Sequence, residues 1–443
     1  MVPPGPPGPL TVRVLVVAYY FPPSGGAGVQ RPLKWVRYFP AAGVRPVVLT
    51  VRAGAYPHLD PAMLAEVPPG VEVVRTAAPD PFALYGRATG RSRGEAVAAR
   101  TGTVGASERP AERAARWLRA NVFVPDARVG WVPFAVARAL RLHRRAPFDA
   151  VLTTGPPHSA HLVGLALRRA GLPWLADFRD PWTQIHYTGA LGRTRAAGRL
   201  DRALERAVLR AADAVVTVSE PLRRDLLALV PEARVSVVRN GFDPADFAGE
   251  PPPAAAGRFE LTYVGSLYAV PHALLDAAAR LRGAMPALRL RFVGSVPDGF
   301  AAAVEARGLG GIVAAEPAVP HADAVGAMRR AALLLLVVEP WSYAAGVVPG
   351  KTFEYLASRR PTLGLGPPDG EAAHILRDTG GGEMIAPDDA AALDRLLRHH
   401  HAAWAAGAPS GGAATADIAA YARPAQAAAV AAILRDVRAR RAR

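Results

Sequence analysis

Residues Thr11–Phe21, TVRVLVVAYYF, form an apolar run rich in valine that stops at Pro22-Pro23. A continuous run of this length, closed by turn residues, predicts a strand buried on both faces. SGGAGVQRPLKWVRYFPAAG (24–43) follows as a glycine-rich turn leading into an amphipathic helix, and RPVVLTV (45–51) is the next strand. The same alternation runs on through VEVVRT (71–76), FDAVLTTG (148–155), LPWLADF (172–178), ADAVVTVS (212–219) and ARVSVVRNG (233–241). Apolar strands alternating with helices, such as 159–170 and 199–211, predict a parallel sheet covered on both sides.

The proline- and alanine-rich stretch AGEPPPAAAGR (248–258) reads as a linker. Beyond it the alternation restarts with FELTYVGS (259–266), LRLRFVGS (288–295), ALLLLVVE (332–339), RPTLGLG (360–366) and GGEMIAP (381–387). Helices are expected near 273–284, 322–331, 352–358, 371–378 and 390–405. The expected organisation is a disordered leader at 1–10, a first α/β domain at 11–248, a linker at 249–258, a second α/β domain at 259–415, and a C-terminal helix with a basic tail at 416–443. Two doubly wound parallel sheets would face each other across a cleft. Ligands of such sheets bind beyond the carboxyl ends of the strands.

Composition sets limits on function. The 443 residues contain no cysteine, which excludes disulfides and thiolate metal sites and favours a reducing, cytoplasmic setting. MVPPGPPGPL lacks the basic start and apolar run of a signal peptide. The longest apolar run, Ala331–Val338, is far shorter than the ~20 residues that span a bilayer. The net charge of +16 suits nucleic acid, anionic lipid or phosphorylated ligands, although arginine-rich genomic composition would produce the same number.

Lysine is the informative residue. Lys and Arg total 53, yet only Lys34 and Lys351 are lysines. Lys351 lies in GVVPGKTFEYL (346–356), where Pro349-Gly350 ends a loop and a helix starts. An ammonium there suits diphosphate oxygens, and the free N–H groups of a helix start favour an anion. Glu354, one turn on, is placed to accept two hydrogen bonds from a ribose diol. The competing reading is an ordinary i,i+3 surface ion pair.

Other strand-end loops offer weaker signals. Gly25, Gly26 and Gly28 allow backbone to approach a ligand closely, but Arg31 stands where a dinucleotide fingerprint needs its third glycine. Asp177, Arg179 and Asp180 cluster directly after a strand, where they serve a ligand or order a loop. His158 and His161 follow GPP, and either suits a sugar hydroxyl; helix capping is the alternative. No D-x-D pair is present to hold a metal–diphosphate.

YYFPPSGGAGVQRPLKWVRYF, GPPHSAHL, DFRDPWT, VSEPLRRDL, NGFDPADF, YVGSLY and PGKTFEYLASRRPTL are similar, in this order, to the motifs of bacterial retaining family 4 glycosyltransferases. The resemblance runs from about Val12 to Pro387. It implies the GT-B fold, a UDP- or GDP-linked sugar donor held by the second domain, an acceptor held by the first, and a final helix crossing back to the first. By the resemblance Glu354 binds ribose, and Lys351 serves the donor phosphates. Gly265, Ser266, Gly346, Val347, Val348, Gly350 and Thr352 line the donor, with His158 and Asp180 catalytic beside Lys351. Gly25, Gly26, Gly28, Arg31, Lys34, Asp177 and Arg179 form the glycine loop and acceptor side. The implied acceptor is a glycan or lipid-linked precursor, and neither metal nor cofactor is expected.

Two departures stand out. Many members carry a glutamate where this chain has Gly346, and a cation after the Gly265-type loop that GSLYAVPHA lacks. Arg31 or Lys34 is the expected substitute cation. Arg31, Lys34, Trp35 and Arg37 also suit a helix docking on an anionic membrane, with a core-packed helix the equal alternative. Two rivals are an NADP-dependent oxidoreductase with Arg52 on a 2′-phosphate, and a basic module for nucleic acid or membrane using residues 87–119 and the tail. With the enzyme reading preferred, nucleic acid is not an expected partner.

Overall fold

The structure is a computed structural model and describes residues 11–54, 56, 59–78, 110–184, 192–253, 257–339, 343–408, 411–415 and 417–441. The leader at 1–10, most of the 87–119 arginine stretch and part of the 249–258 linker lie outside the described residues. The chain forms two compact units: residues 1–218, 222–239 and 426–443, and residues 219–221 with 240–425.

In the first unit the elements are β1 (Val12–Ala18), α1 (Ala27–Tyr38), β2 (Val44–Val51), β3 (Glu72–Thr76), α2 (Pro110–Asn121), α3 (Val132–Arg145), β4 (Ala150–Gly155), α4 (Ser159–Arg169), β5 (Trp174–Phe178), α5 (Arg195–Ala211), β6 (Ala214–Thr217), α6 (Glu220–Leu229) and β7 (Val235–Val237). They build a seven-stranded sheet in the order β3-β2-β1-β4-β5-β6-β7. Each neighbouring pair is parallel. The apolar run 11–21 supplies β1, an interior strand of this sheet, in which Val14, Leu15, Val16 and Val17 are fully buried.

The second unit contains β8 (Phe259–Val264), α7 (His272–Leu281), β9 (Leu288–Val293), α8 (Phe300–Glu305), β10 (Val313–Glu316), α9 (His321–Arg330), β11 (Leu333–Val337), α10 (Lys351–Ala357), β12 (Thr362–Leu365), α11 (Glu371–Asp378), β13 (Gly382–Ile385) and α12 (Ala390–Ala405). Its parallel sheet runs β10-β9-β8-β11-β12-β13. β10 is absent from the sequence expectation because VAAE, on the sheet edge, buries none of its residues fully and carries no apolar run.

A last helix, α13 (Arg423–Arg441), returns to the first unit from residue 426 onward. Ala427, Val430, Ala431, Leu434 and Val437 recur at helical spacing and enter the same core as Val14, Val16, Leu33 and Phe39. Among the described residues no helix is long and apolar enough to cross a membrane.

α1 corrects one expectation. Arg31, Lys34 and Trp35 are buried at 1%, 4% and 0% exposure, so this helix does not present them to a bilayer. Core contact with Val29, Leu33 and Val36 takes that face.

Candidate functional site

The ends of β8 and β9 in the second unit approach unusually closely. Gly265 N–H donates to the Val293 carbonyl, and Gly294 N–H to that of Glu316. Gly294 has φ of +132°, and a Cβ there would lie 2.3 Å from the Gly265 oxygen. Gly265 has φ of +118°, and its Cβ would lie 2.9 Å from Lys351 Nζ. Glycine is thus required twice, once for the crossing of two backbones and once for the ammonium.

Lys351 is the first residue of α10 and extends toward this glycine turn. Its Nζ donates to the Tyr263 hydroxyl at 2.7 Å and lies 3.9 Å from the centre of the Tyr263 ring. That hydroxyl donates onward to the Ser266 carbonyl at 2.6 Å. Burial and the nearby Glu339 raise the Tyr263 pKa, which keeps the phenol neutral and able to donate. Burial pushes the Lys351 ammonium down to about 8, against the opposing pull of Glu354 and Glu339. An ammonium with one protein acceptor retains two N–H donors. α10 has only seven residues, so a charge in this recess is stabilised by the ammonium more than by a helix dipole.

Glu354 is partly buried one turn along α10. Burial raises its pKa, partly countered by His321 and Arg423. Its carboxylate makes no hydrogen bond or ion pair to the described residues, and it is not joined to Lys351 as the surface-pair reading requires. Both groups therefore keep hydrogen-bonding capacity for a ligand. Gly350 is exposed, and a Cβ there would meet nothing within 4 Å. Val347 and Val348 are partly exposed beside it. Thr352 is different: its side chain is fully buried and its Oγ1 has no partner, so it faces the core.

Gly346 has a steric cause. A Cβ at this position would lie 2.5 Å from the Tyr343 ring, so the space a glutamate would need is filled. Glu339 supplies a carboxylate near Lys351 instead, and its Oε1 accepts from Tyr268 N–H at 3.3 Å. Tyr263 escaped the residue reading, whereas Gly294 and Glu339 fall in the strand-end loops 294–295 and 339–351, where ligands of such sheets are expected. Tyr263 lies inside β8, one residue before its end, and nothing in its sequence position sets it apart.

In the first unit the flagged charges are largely committed to structure. Arg31 donates through Nε and a terminal nitrogen to Asp177, at 2.9 Å for the closest contact, and to the Arg239 carbonyl at 3.0 Å. Asp177 also accepts from Thr154 Oγ1 at 2.7 Å and is fully buried. Lys34 donates to Glu66 at 2.6 Å. Neither Arg31 nor Lys34 is therefore a free second cation for a diphosphate, a correction to the expected substitute. Arg179 donates to the carbonyls of Gly155, Pro156 and Gly28, tying the glycine loop to the turns after β4 and β5.

The glycine loop itself is open. Gly26, with φ of +91°, precedes α1, and Gly26 and Gly28 are exposed while Gly25 is buried. Asp180 is exposed beside this turn. His158 is 8% exposed and stacks on Trp182, with ring centres 4.9 Å apart. Burial lowers its pKa to about 3, so its imidazole is neutral at physiological pH. A bond to the Pro181 carbonyl fixes one nitrogen, and Nδ1 has no hydrogen-bond partner. His161 is fully buried, bonded to Thr153 and stacked on Phe178.

Residues 91–246 match the model of Glycosyltransferase Family 4. No curated protein matches the chain. Among solved structures, sucrose-phosphate synthase from Thermosynechococcus elongatus is similar at a TM-score of 0.60 and 16% identity, over 97% of this chain and 100% of that one. A Rickettsia africae glycosyltransferase gives 0.58 and 12%, over 96% and 98%. Anabaena HepE, solved in complex with UDP and glucose, gives 0.54 and 14%, over 97% and 98%.

The fold is GT-B. Two Rossmann-like parallel-sheet units and a final helix shared between them agree with that likeness along almost the whole chain. Within this GT-B chain the second unit brings Lys351, Gly265, Ser266 and Glu354 to one sheet edge. In the first unit Asp177, Arg179, Arg31 and His158 are brought to another.

Proposed function

We propose that this protein transfers a sugar from a UDP- or GDP-linked donor to a hydroxyl on a glycan or lipid-linked acceptor, with retention and without a metal. The observation that carries the reading is the Lys351 ammonium, held between the Tyr263 hydroxyl and the Gly265 turn with Glu354 one helical turn away. The family match over 91–246 and the GT-B fold support it. The donor lies on the second unit, with its diphosphate on Lys351 and the Gly265–Ser266 turn and its ribose on Glu354.

When the anomeric C–O bond breaks, negative charge grows on the departing diphosphate oxygen. Lys351 stabilises that charge in a partly desolvated site, where a cation contributes more than in water. This ammonium takes the place a metal would fill on a D-x-D pair. The acceptor hydroxyl attacks from the face that the diphosphate leaves, and a departing phosphate oxygen takes its proton, so no enzyme base is required. His158 is neutral and brings no charge to the sugar; its unpaired Nδ1 is buried, so a sugar hydroxyl reaches it only if the turn after β4 shifts. Reaction at the cytoplasmic face of a membrane fits a lipid-linked acceptor.

A panel of sugar nucleotides, assayed for hydrolysis and transfer with wild-type protein and with Lys351→Ala, tests this reading. One donor should turn over in the wild type, at least tenfold faster than in the variant. Stabilisation by NADPH with no sugar-nucleotide turnover would favour the oxidoreductase alternative.

A further inference from the structure

The first unit contains a cavity of about 390 Å³ lined by Arg52, Arg75, Thr76, Phe134, Arg138 and Arg141, with alanines between them. Arg52 and Arg75 come from the carboxyl ends of β2 and β3, the sheet edge where ligands of such units bind. Phe134, Arg138 and Arg141 lie at i, i+4 and i+7 of α3, so one helical face is turned to the cavity. Four arginines line it, and no carboxylate does so among the described residues.

Several arginines elsewhere are matched by a carboxylate: Arg168 with Asp213, Arg193 with Asp201, Arg280 with Asp394, Arg291 with Glu316 and Arg307 with Asp276. Arg52, Arg138 and Arg141 make no ion pair to a described residue. Four like charges facing one small space repel unless an anion fills it. Guanidinium forks match phosphate oxygens in pairs.

The cavity is also joined to the glycine loop. Arg75 donates to the Pro22 carbonyl at 2.5 Å, at the start of that loop, and to the Val51 carbonyl. Trp131 Nε1 donates to Thr76 Oγ1 at 2.7 Å and fixes the wall beneath. Phe134, 43% exposed, adds an apolar surface at the rim.

We propose that this cavity holds the phosphate or diphosphate group of the acceptor, leaving the acceptor's hydroxyl-bearing part toward the glycine loop. The proposal rests on the glycosyltransferase reading for the word acceptor, but the anion site is testable without it. The same chemistry has two sources, a diphosphate on a lipid carrier or a soluble sugar phosphate.

The test is calorimetric titration of inorganic pyrophosphate into Lys351→Ala protein, in which the second unit's phosphate grip is removed. Pyrophosphate should bind, with affinity that falls as salt rises. Adding Arg138→Gln and Arg141→Gln, both at the surface of α3, should weaken it by about tenfold or more. Arg52→Gln serves as a second variant from a different element. Absence of pyrophosphate binding, or equal binding in all variants, would overturn the site. Displacement by geranyl diphosphate in preference to glucose 6-phosphate assigns a lipid carrier, and the reverse order a soluble sugar phosphate; displacement by neither overturns the acceptor role. Thermal stabilisation by UDP or GDP, measured with Lys351 intact, should persist in Arg138→Gln/Arg141→Gln. If no nucleotide stabilises any variant, the donor reading fails while the pyrophosphate result stands.

Discussion

The two units each place a charged cluster beyond the carboxyl ends of their strands, and the clusters are built in opposite ways. In the first, Arg31, Asp177, Thr154 and Arg179 exhaust one another and the nearby carbonyls. In the second, Lys351 meets one protein hydroxyl and Glu354 meets no hydrogen-bonding partner among the described residues. Both looked alike as sequence: charged residues just past a strand. The difference lies in hydrogen-bonding capacity left over, and capacity left over is what a ligand can use.

The sharpest way to break this comparison is to remove one partner from each cluster. Asp177→Ala strands the buried Arg31 guanidinium and should lower stability by about 3–5 kcal/mol in a denaturant titration. Lys351→Ala should leave the melting temperature nearly unchanged and reduce kcat/KM by roughly a hundredfold, about 3 kcal/mol of transition-state stabilisation. If the two variants exchanged phenotypes, the assignment of structural and functional clusters would be reversed.

Smaller effects sharpen the second cluster. Gly346→Ala drives a Cβ into the Tyr343 ring and should cost about 1–3 kcal/mol of stability by overpacking; a neutral result would mean that Tyr343 yields easily. Glu354→Gln keeps the shape but should weaken the proposed ribose contact, with an expected tenfold or so rise in donor KM. The pH dependence follows from Lys351. Its ammonium is present below about 8 and lost above it, so kcat/KM should fall as pH rises through that value. Lys351→Arg keeps its charge and should flatten that limb, although with altered geometry.

Much of the architecture was legible because buried parallel strands are nearly continuous apolar runs. β1, β4 and β11 could hardly be anything else. β10 was not, since an edge strand of alanines carries no period. Lys351 and Glu354 were legible through a rare residue and a helical spacing. Tyr263 was not, because a tyrosine inside FELTYVGS acquires meaning only when β8 and α10 come together; Glu339, the last residue of ALLLLVVE, stood out by its strand-end position but not as a neighbour of Lys351. The membrane-facing and cationic expectations for Arg31, Lys34 and Trp35 failed for a related reason. A helix with alternating charge and apolar residues does not announce which face the sheet and α13 will cover, nor that Asp177 and Glu66 wait beneath it.

The most direct measurement is thermal stabilisation by UDP and by GDP, run on wild type, Lys351→Ala and Glu354→Ala. The account expects one nucleotide to raise the melting temperature of the wild type, and both variants to lose most of that rise while melting normally without ligand. Equal stabilisation of all three proteins, or none in the wild type, would contradict the claim that this ammonium and carboxylate grip a nucleoside diphosphate.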